Sequence, residues 1–478
     1  MIRKLFPTPE RDEILNGPAL RTMAKIGLPA VLSSVIFSAY NIMDAAWLGR
    51  LPESGAAALA GIQISWPFIW LIISFVAGFS GAAVTALVAQ HLGAGQPREA
   101  NYAMNQLFTI SAISGFILGA AGYILTPWIV SFLVSDVEVA REASTYLRVI
   151  FLGFPTMMLP GLFFHTLSAT GDTVTPLLIN GGGTLLNCLL DAVLIMGLWG
   201  FPRLGILGAA LATVISQGLA TIAFLIIFRR GIGGLHLDRN ALRLRLDWIW
   251  KAIRIGLPAG LGSSAMAAGF VLLMKIIGML DNSMYALAGY GAADRVFGLL
   301  FIATNGLGIG LTTMVGQALG ADMKDRAREL MKKGVKFLFF VLVVETVFLY
   351  TLRRPLVSFF VPHEPLAIRQ GMRFIELFAL GMPLLGMFFA AEAVYRGSGW
   401  NVPMTVLGVL RLGIRLGLGY LLAFPMGLQS DGIWVGMCAS NVIIGAISVP
   451  FLMSKLWLRA RIDRPSTESE PDLEAAEA

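Results

Sequence analysis

Apolar residues run along this chain in long blocks, and polar residues collect between them. Twelve blocks can be read: Ile26–Leu48, Ala57–Val88, Tyr102–Val130, Ala143–His165, Pro176–Leu198, Leu204–Phe228, Ile255–Leu280, Ala286–Leu319, Val335–Leu352, Gln370–Tyr395, Val402–Phe424 and Gly432–Trp457. As helices rising ~1.5 Å per residue, they match the ~30 Å of hydrocarbon in a bilayer. The pattern predicts an all-α integral membrane protein with twelve transmembrane helices.

The polar stretches orient those helices. Arg3, Lys4, Arg11, Arg21 and Lys25 precede the first span, and Lys455, Arg459, Arg461 and Arg464 follow the last. With twelve crossings these groups fall on one side, together with the linker Arg229–Arg254 and the loop Lys324–Lys336. Basic loops stay cytoplasmic, so both termini and the linker are expected there. Arg353 and Arg354 are the main exceptions. The tail from Pro465 is acidic and poor in apolar residues, a composition that does not order by itself. The expected organisation is a cytoplasmic segment (1–25), a first lobe (26–228), a cytoplasmic linker (229–254), a second lobe (255–457) and a disordered tail (458–478).

The two lobes repeat one another. IGLPA at Ile26 returns at Ile255, ALAG at Ala58 returns at Ala286, and AQHLGAG from Ala89 returns as GQALGAD from Gly316. ATGDTV from Ala169 is echoed by GSGWNV from Gly397, at the same shift of about 228 residues. Six spans per half is an even number, so both halves start from the same face. This predicts two six-helix bundles related by a parallel pseudo-two-fold axis, with a cavity between them.

Composition agrees: 56% of residues are hydrophobic and 14% charged, against about 25% charged in soluble domains. The first apolar block is too long for a cleavable signal. Cys188 and Cys438 both sit in apolar blocks, which implies no disulfide framework. The net charge of +7 belongs to loops beside a membrane, and no soluble basic domain points to nucleic acid.

Chemistry is expected where polar residues interrupt the spans. Asp44 lies inside the first, with Tyr40 and Asn41 about one turn before it. An acid there costs about 2.5–3.5 kcal/mol on insertion scales, so it needs a partner, a wet cavity or a proton. In the fifth span Asn180, Thr184, Asn187 and Asp191 recur at helical spacing and form one polar stripe. Asp191 and Asp44 sit at similar depth in spans that run the same way, and so are expected to share a pocket. Such a pair holds a proton, or Na⁺ with Asn187 as a further oxygen ligand. Gly181–Gly183 are expected to allow close helix packing or a bend.

On these motifs the chain resembles the multidrug and toxic compound extrusion (MATE) transporters. The segments that carry the likeness are LPAVLSSVIFSAYNIMDAAWLGRL, VAQHLGAGQPREA and LLNCLLDAVLIMGLWGFPRLGILGAALATVIS. It is most similar to the prokaryotic DinF-type branch. The resemblance implies an N-lobe coupling pocket of Tyr40, Asp44, Asn187 and Asp191, a hinge at Pro29, and a further hydroxyl from Thr213. The seventh span holds no acid, which speaks against the C-lobe Na⁺ coupling of the NorM-type branch.

In the second half, the repeat shift puts Arg415 where Asn187 stands and Gly419 where Asp191 stands. Asp294 lies at matching depth, so it is expected to pair with Arg415 or Arg411. The rival expectation is that Asp294 faces the cavity and contacts cationic substrate. Glu392 and Arg396 are expected to pair locally, Lys275 to reach the surface, and His165 to be a satisfied polar group.

Together these features predict a secondary antiporter of a cell inner membrane. It would export amphipathic, often cationic compounds against H⁺ or Na⁺, as a monomer without other cofactors. The alternative is a lipid-linked oligosaccharide flippase of the wider superfamily. No HExxH, Walker-A or other catalytic pattern points to an enzyme or a nucleotide-driven pump.

Overall fold

The computed structural model describes residues 6–48, 55–133, 136–238, 241–459 and 462, without the side chains of 37, 39–46, 48, 55–60, 63, 64 and 133. A short helix, α1 (Arg11–Asn16), precedes the bundle. The first half is α2 (Ala19–Leu48), α3 (Gly55–Gly93), α4 (Pro97–Leu133), α5 (Val137–Thr170), α6 (Val174–Met196) and α7 (Ile206–Arg230). The second is α8 (Leu246–Gly278), α9 (Ser283–Gly320), α10 (Lys324–Phe360), α11 (Pro365–Ala379), α12 (Met382–Ser398), α13 (Val402–Ala423) and α14 (Gln429–Met453). Among the described residues eleven helices are long and apolar enough to cross a bilayer, and α11 with α12, bent by 60°, passes the same test only as a pair. The tenth span, expected to be one helix, is therefore two.

The repeated motifs are repeated structure. Gly171 and Gly399 end α5 and α12 in the left-handed conformation that glycine adopts without strain. Pro29 in α2 and Pro258 in α8 each remove a helical N–H, a gap that polar side chains can help fill. Thr173 Oγ1 donates to the Ile26 carbonyl at 2.7 Å, and Asn401 Nδ2 donates to the Ile255 carbonyl at 2.9 Å. These are the same backbone positions in the two halves.

The halves meet at the end that carries α1 and the linker. Gln90 Nε2, at the end of α3, donates to the Gly397 carbonyl of the other half at 2.9 Å. Gln317 Nε2, at the end of α9, returns the bond to the Ala169 carbonyl at 2.9 Å. The crossing is tight in both directions: a Cβ at Gly93 would stand 2.0 Å from the Gln317 carbonyl oxygen, and one at Gly320 1.9 Å from that of Gln90. Only glycine permits this approach. Thr313 Oγ1 adds a bond to the Ser168 carbonyl at 2.8 Å. α1 rests on the same end, with Arg11 donating to the Leu92 and Gly93 carbonyls.

Candidate functional site: a central cavity with an acid buried behind its first-half wall

Between the halves lies a cavity of about 1400 Å³. Its walls are mostly apolar and rich in methionine and aromatic rings, from Met157 and Phe164 on one side to Met266 and Phe270 on the other. Trp66 and Trp70, one turn apart on α3, line it with their rings stacked 6.2 Å apart. Indole faces attract organic cations, and flexible thioethers adapt to varied shapes. In the sequence the only sign of this pair is two tryptophans at i and i+4 inside one span.

The polar stripe of α6 divides along its length. Asn180 and Thr184 line the cavity, as does Thr213 of α7. One to two turns further on, Asn187 is 1% exposed and Asp191 fully buried. The Asn187 amide is satisfied at both ends when its nitrogen donates to Asp191 Oδ2 at 2.9 Å and its oxygen accepts from the Thr213 N–H at 3.2 Å. A buried carboxylate is thereby tied to a residue of the cavity wall. The close packing expected of Gly181–Gly183 is absent. A Cβ at Gly181 or Gly183 would make ordinary contacts, one at Gly182 would meet nothing within 4 Å, and α6 runs through unbroken. Gly183 instead leaves room for the cavity, which it lines.

Of the residues expected in the coupling pocket, Tyr40, Asn41 and Asp44 have side chains outside the described residues. The backbone of α2 passes through all three positions and packs against α6. Pro29 is buried within α2, near the Ile26 carbonyl held by Thr173. Among the described residues, no three His, Cys, Asp or Glu side chains stand together as a metal site.

The second half corrects one expectation. Asp294 forms no salt bridge with Arg415 or Arg411; its Oδ1 accepts from the Tyr290 hydroxyl at 3.2 Å, and it does not line the cavity. Arg415 Nη2 donates instead to Asn441 Oδ1 at 3.2 Å, and Arg411 Nη2 to Met266 Sδ at 3.6 Å. A tyrosine one turn away on the same helix reached the carboxylate, where equal depth had suggested a partner on another. Glu392 and Arg396 do pair, at 2.6 Å. Lys275 is exposed. His165 packs edge-on against Phe164, and a Cβ at Gly81 would stand 2.7 Å from its ring.

Two segments, residues 29–193 and 258–421, each match the MatE family, the second displaced by the repeat shift. The chain is 26% identical over 465 residues to the probable multidrug resistance protein NorM of Thermotoga maritima, covering 96% of each. It is 28% identical over 359 residues to the FAD transporter of Shewanella oneidensis, covering 73% of this chain and 76% of that one. Among solved structures, a MATE transporter in complex with MaL6 superposes with a TM-score of 0.85 at 19% identity, over 93% of this chain and 98% of the other.

Proposed function

The chain belongs to the MatE family, and on that premise we propose that it exports amphipathic, often cationic organic compounds in exchange for H⁺ or Na⁺. The observation that carries this reading is the buried Asp191–Asn187 pair, held by Thr213 against a cavity walled by Trp66 and Trp70. A deprotonated acid attracts a cation, and protonation removes the attraction. Ion binding thus changes the relative stability of the substrate-loaded and empty states, which is all that coupling requires.

Asp44 is the second acid of this scheme. Thr173 bonds to Ile26, and a Cβ at Gly181 would touch Ile36 at 3.5 Å, so α2 and α6 run in parallel register. Continued along both helices, that register brings residue 44 level with about residue 190 and supports a shared pocket with Asp191. Tyr40 and Asn41 would flank it, and Asn180, Thr184 and Thr213 would meet the substrate. Pro29 would be the hinge at which α2 answers protonation. If Na⁺ is the coupling ion, Asp44, Asp191 and Asn187 are its ligands.

The clustered basic residues support a cytoplasmic placement of both termini and the linker in a cell inner membrane. The glutamine contacts would then close the cytoplasmic end in this conformation, with the cavity serving the outer side. Everted vesicles given ethidium in the medium, where export is read as uptake into the lumen under an imposed ΔpH or ΔNa⁺, test the scheme. The proton reading requires ΔpH to drive transport and Asp44→Asn to stop it. Normal transport by that variant removes Asp44 from the coupling.

A further inference from the structure

Carboxylates stand near the arginines of α13, Asp294 near Arg415 and Glu392 near Arg411, but among the described residues neither arginine is in salt-bridge contact with one. Arg411 is 5% exposed, and Arg415 lies one turn further along the helix. Neither forms a salt bridge among the described residues; Asp294 is taken by Tyr290 and Glu392 by Arg396. Two guanidiniums carry about ten N–H donors between them. Their hydrogen-bond acceptors here are Met266 Sδ and Asn441 Oδ1. Both Nε atoms are buried without a partner. The Phe388 ring lies 5.0 Å from the Arg411 guanidinium and the Phe378 ring 6.0 Å from that of Arg415. Ring faces and a thioether compensate only in part for burying a cation.

Met266 is part of the cavity wall, so Arg411 stands one flexible side chain behind it. A thioether is a weak acceptor on an unbranched stem. An oxyanion arriving from the cavity would displace it and gain charge-assisted, bidentate bonds.

We propose that Arg411, backed by Arg415 and screened by Met266, is an oxyanion site that takes the phosphate, carboxylate or sulfonate group of an amphiphile. With Asp191 buried behind the first-half wall, it gives the cavity opposite charges behind its two sides, suited to zwitterions and to anionic conjugates of apolar rings. The proposal deepens the export reading by adding a substrate class, and rests on it only in taking the cavity as the ligand chamber.

Riboflavin and flavin mononucleotide share a ring and differ by one phosphate. The full chain in phosphatidylcholine nanodiscs, without any ion gradient, is titrated with each by fluorescence quenching. The expected result is mononucleotide binding at least about tenfold tighter, or ~1.4 kcal/mol. Arg411→Gln reduces the preference to within about twofold, and Met266→Ala, which removes the screen, increases it. Equal affinities, or no mononucleotide binding to either wild type or Met266→Ala, overturn the site. If Arg411→Gln does not fold, Met266→Ala decides alone, and an unchanged preference overturns it. Discs containing phosphatidylglycerol separate the sources. Suppressed binding there identifies an anionic lipid headgroup as the occupant, and undiminished binding a soluble ligand. The absence of a gradient keeps this outcome separate from ΔpH-driven ethidium export.

Discussion

The first and second halves share a backbone plan and differ in charge. Asn187 and Thr213 join α6 to α7 beside Asp191; at the equivalent places Arg415 and Asn441 join α13 to α14 beside Gly419. The contact is retained, to the Thr213 backbone in one half and to the Asn441 side chain in the other, while the charge at its centre changes from acid to cation. A second contrast lies in the fourth span of each half. Gly153 and Pro155 sit inside an unbroken α5, whereas their counterparts Gly381 and Pro383 sit at the 60° bend between α11 and α12. At that bend the Thr346 hydroxyl stands 3.2 Å from the Ala379 carbonyl and 2.7 Å from the Leu342 carbonyl of its own helix, the two sharing its one proton. The equivalent residue in the first half is Leu118, which cannot donate. A duplicated scaffold therefore preserves where helices meet and leaves what they do there free to diverge.

The largest effect should come from the acid that only one half retains. Asp191→Asn is expected to lower ΔpH-driven ethidium export more than about tenfold at normal folded yield, as loss of a functional intramembrane acid predicts. Asp294→Asn, in the other half, should lower it far less. Equal losses would end the assignment of coupling to the first half.

Next come the mirrored glycines. Gly93→Ala and Gly320→Ala each place a Cβ within 2.0 Å of a backbone carbonyl oxygen across the interface. The linker end cannot close over that contact without a shift in the backbone. Both variants are expected to expose a cysteine at Ser74, in a background lacking Cys188 and Cys438, to impermeant maleimide added from the linker side. Unchanged labelling would show that the crossing does not control access.

Gln90→Leu and Gln317→Leu test the same closure more gently. Each removes one buried inter-half hydrogen bond, worth about 1 kcal/mol or roughly fivefold in population. The two should raise linker-side labelling by similar amounts, and a large inequality would break the symmetry argument. Smallest is Thr346→Val, expected to lower thermal stability by at most about 1 kcal/mol as the Leu342 and Ala379 carbonyls lose a shared donor. Leu118→Val should show no comparable hydrogen-bond loss.

Much of this was legible in the chain. Apolar length predicted the spans, because a lone crossing must satisfy its backbone within itself. The shift between IGLPA and its copy predicted the second match to the family and the paired proline helices. Spacing along α6 put Asn180, Thr184, Asn187 and Asp191 on one stripe, since helical geometry alone sets which residues share a face. Depth also follows from counting residues, yet Asp294 and Arg415 show that equal depth does not make a pair. Rotation about each helix and distance between helices decide that, and both come from packing.

Local sequence settled what a single helix can settle: where it runs, which face is polar and where its turns lie. Tertiary structure decided the rest, because each remaining feature needs two segments distant in the chain. The Gly-x-Pro pattern occurs in both halves, and the bend is present only where Gly381 approaches the Cys438 carbonyl and Thr346 supplies a donor. Gln90 and Gln317 look like ordinary polar ends of helices until each faces a carbonyl of the opposite half. Arg411 is distinguished by having no carboxylate in salt-bridge contact among the described residues, since the nearby Glu392 pairs with Arg396, which no residue in its own segment reveals.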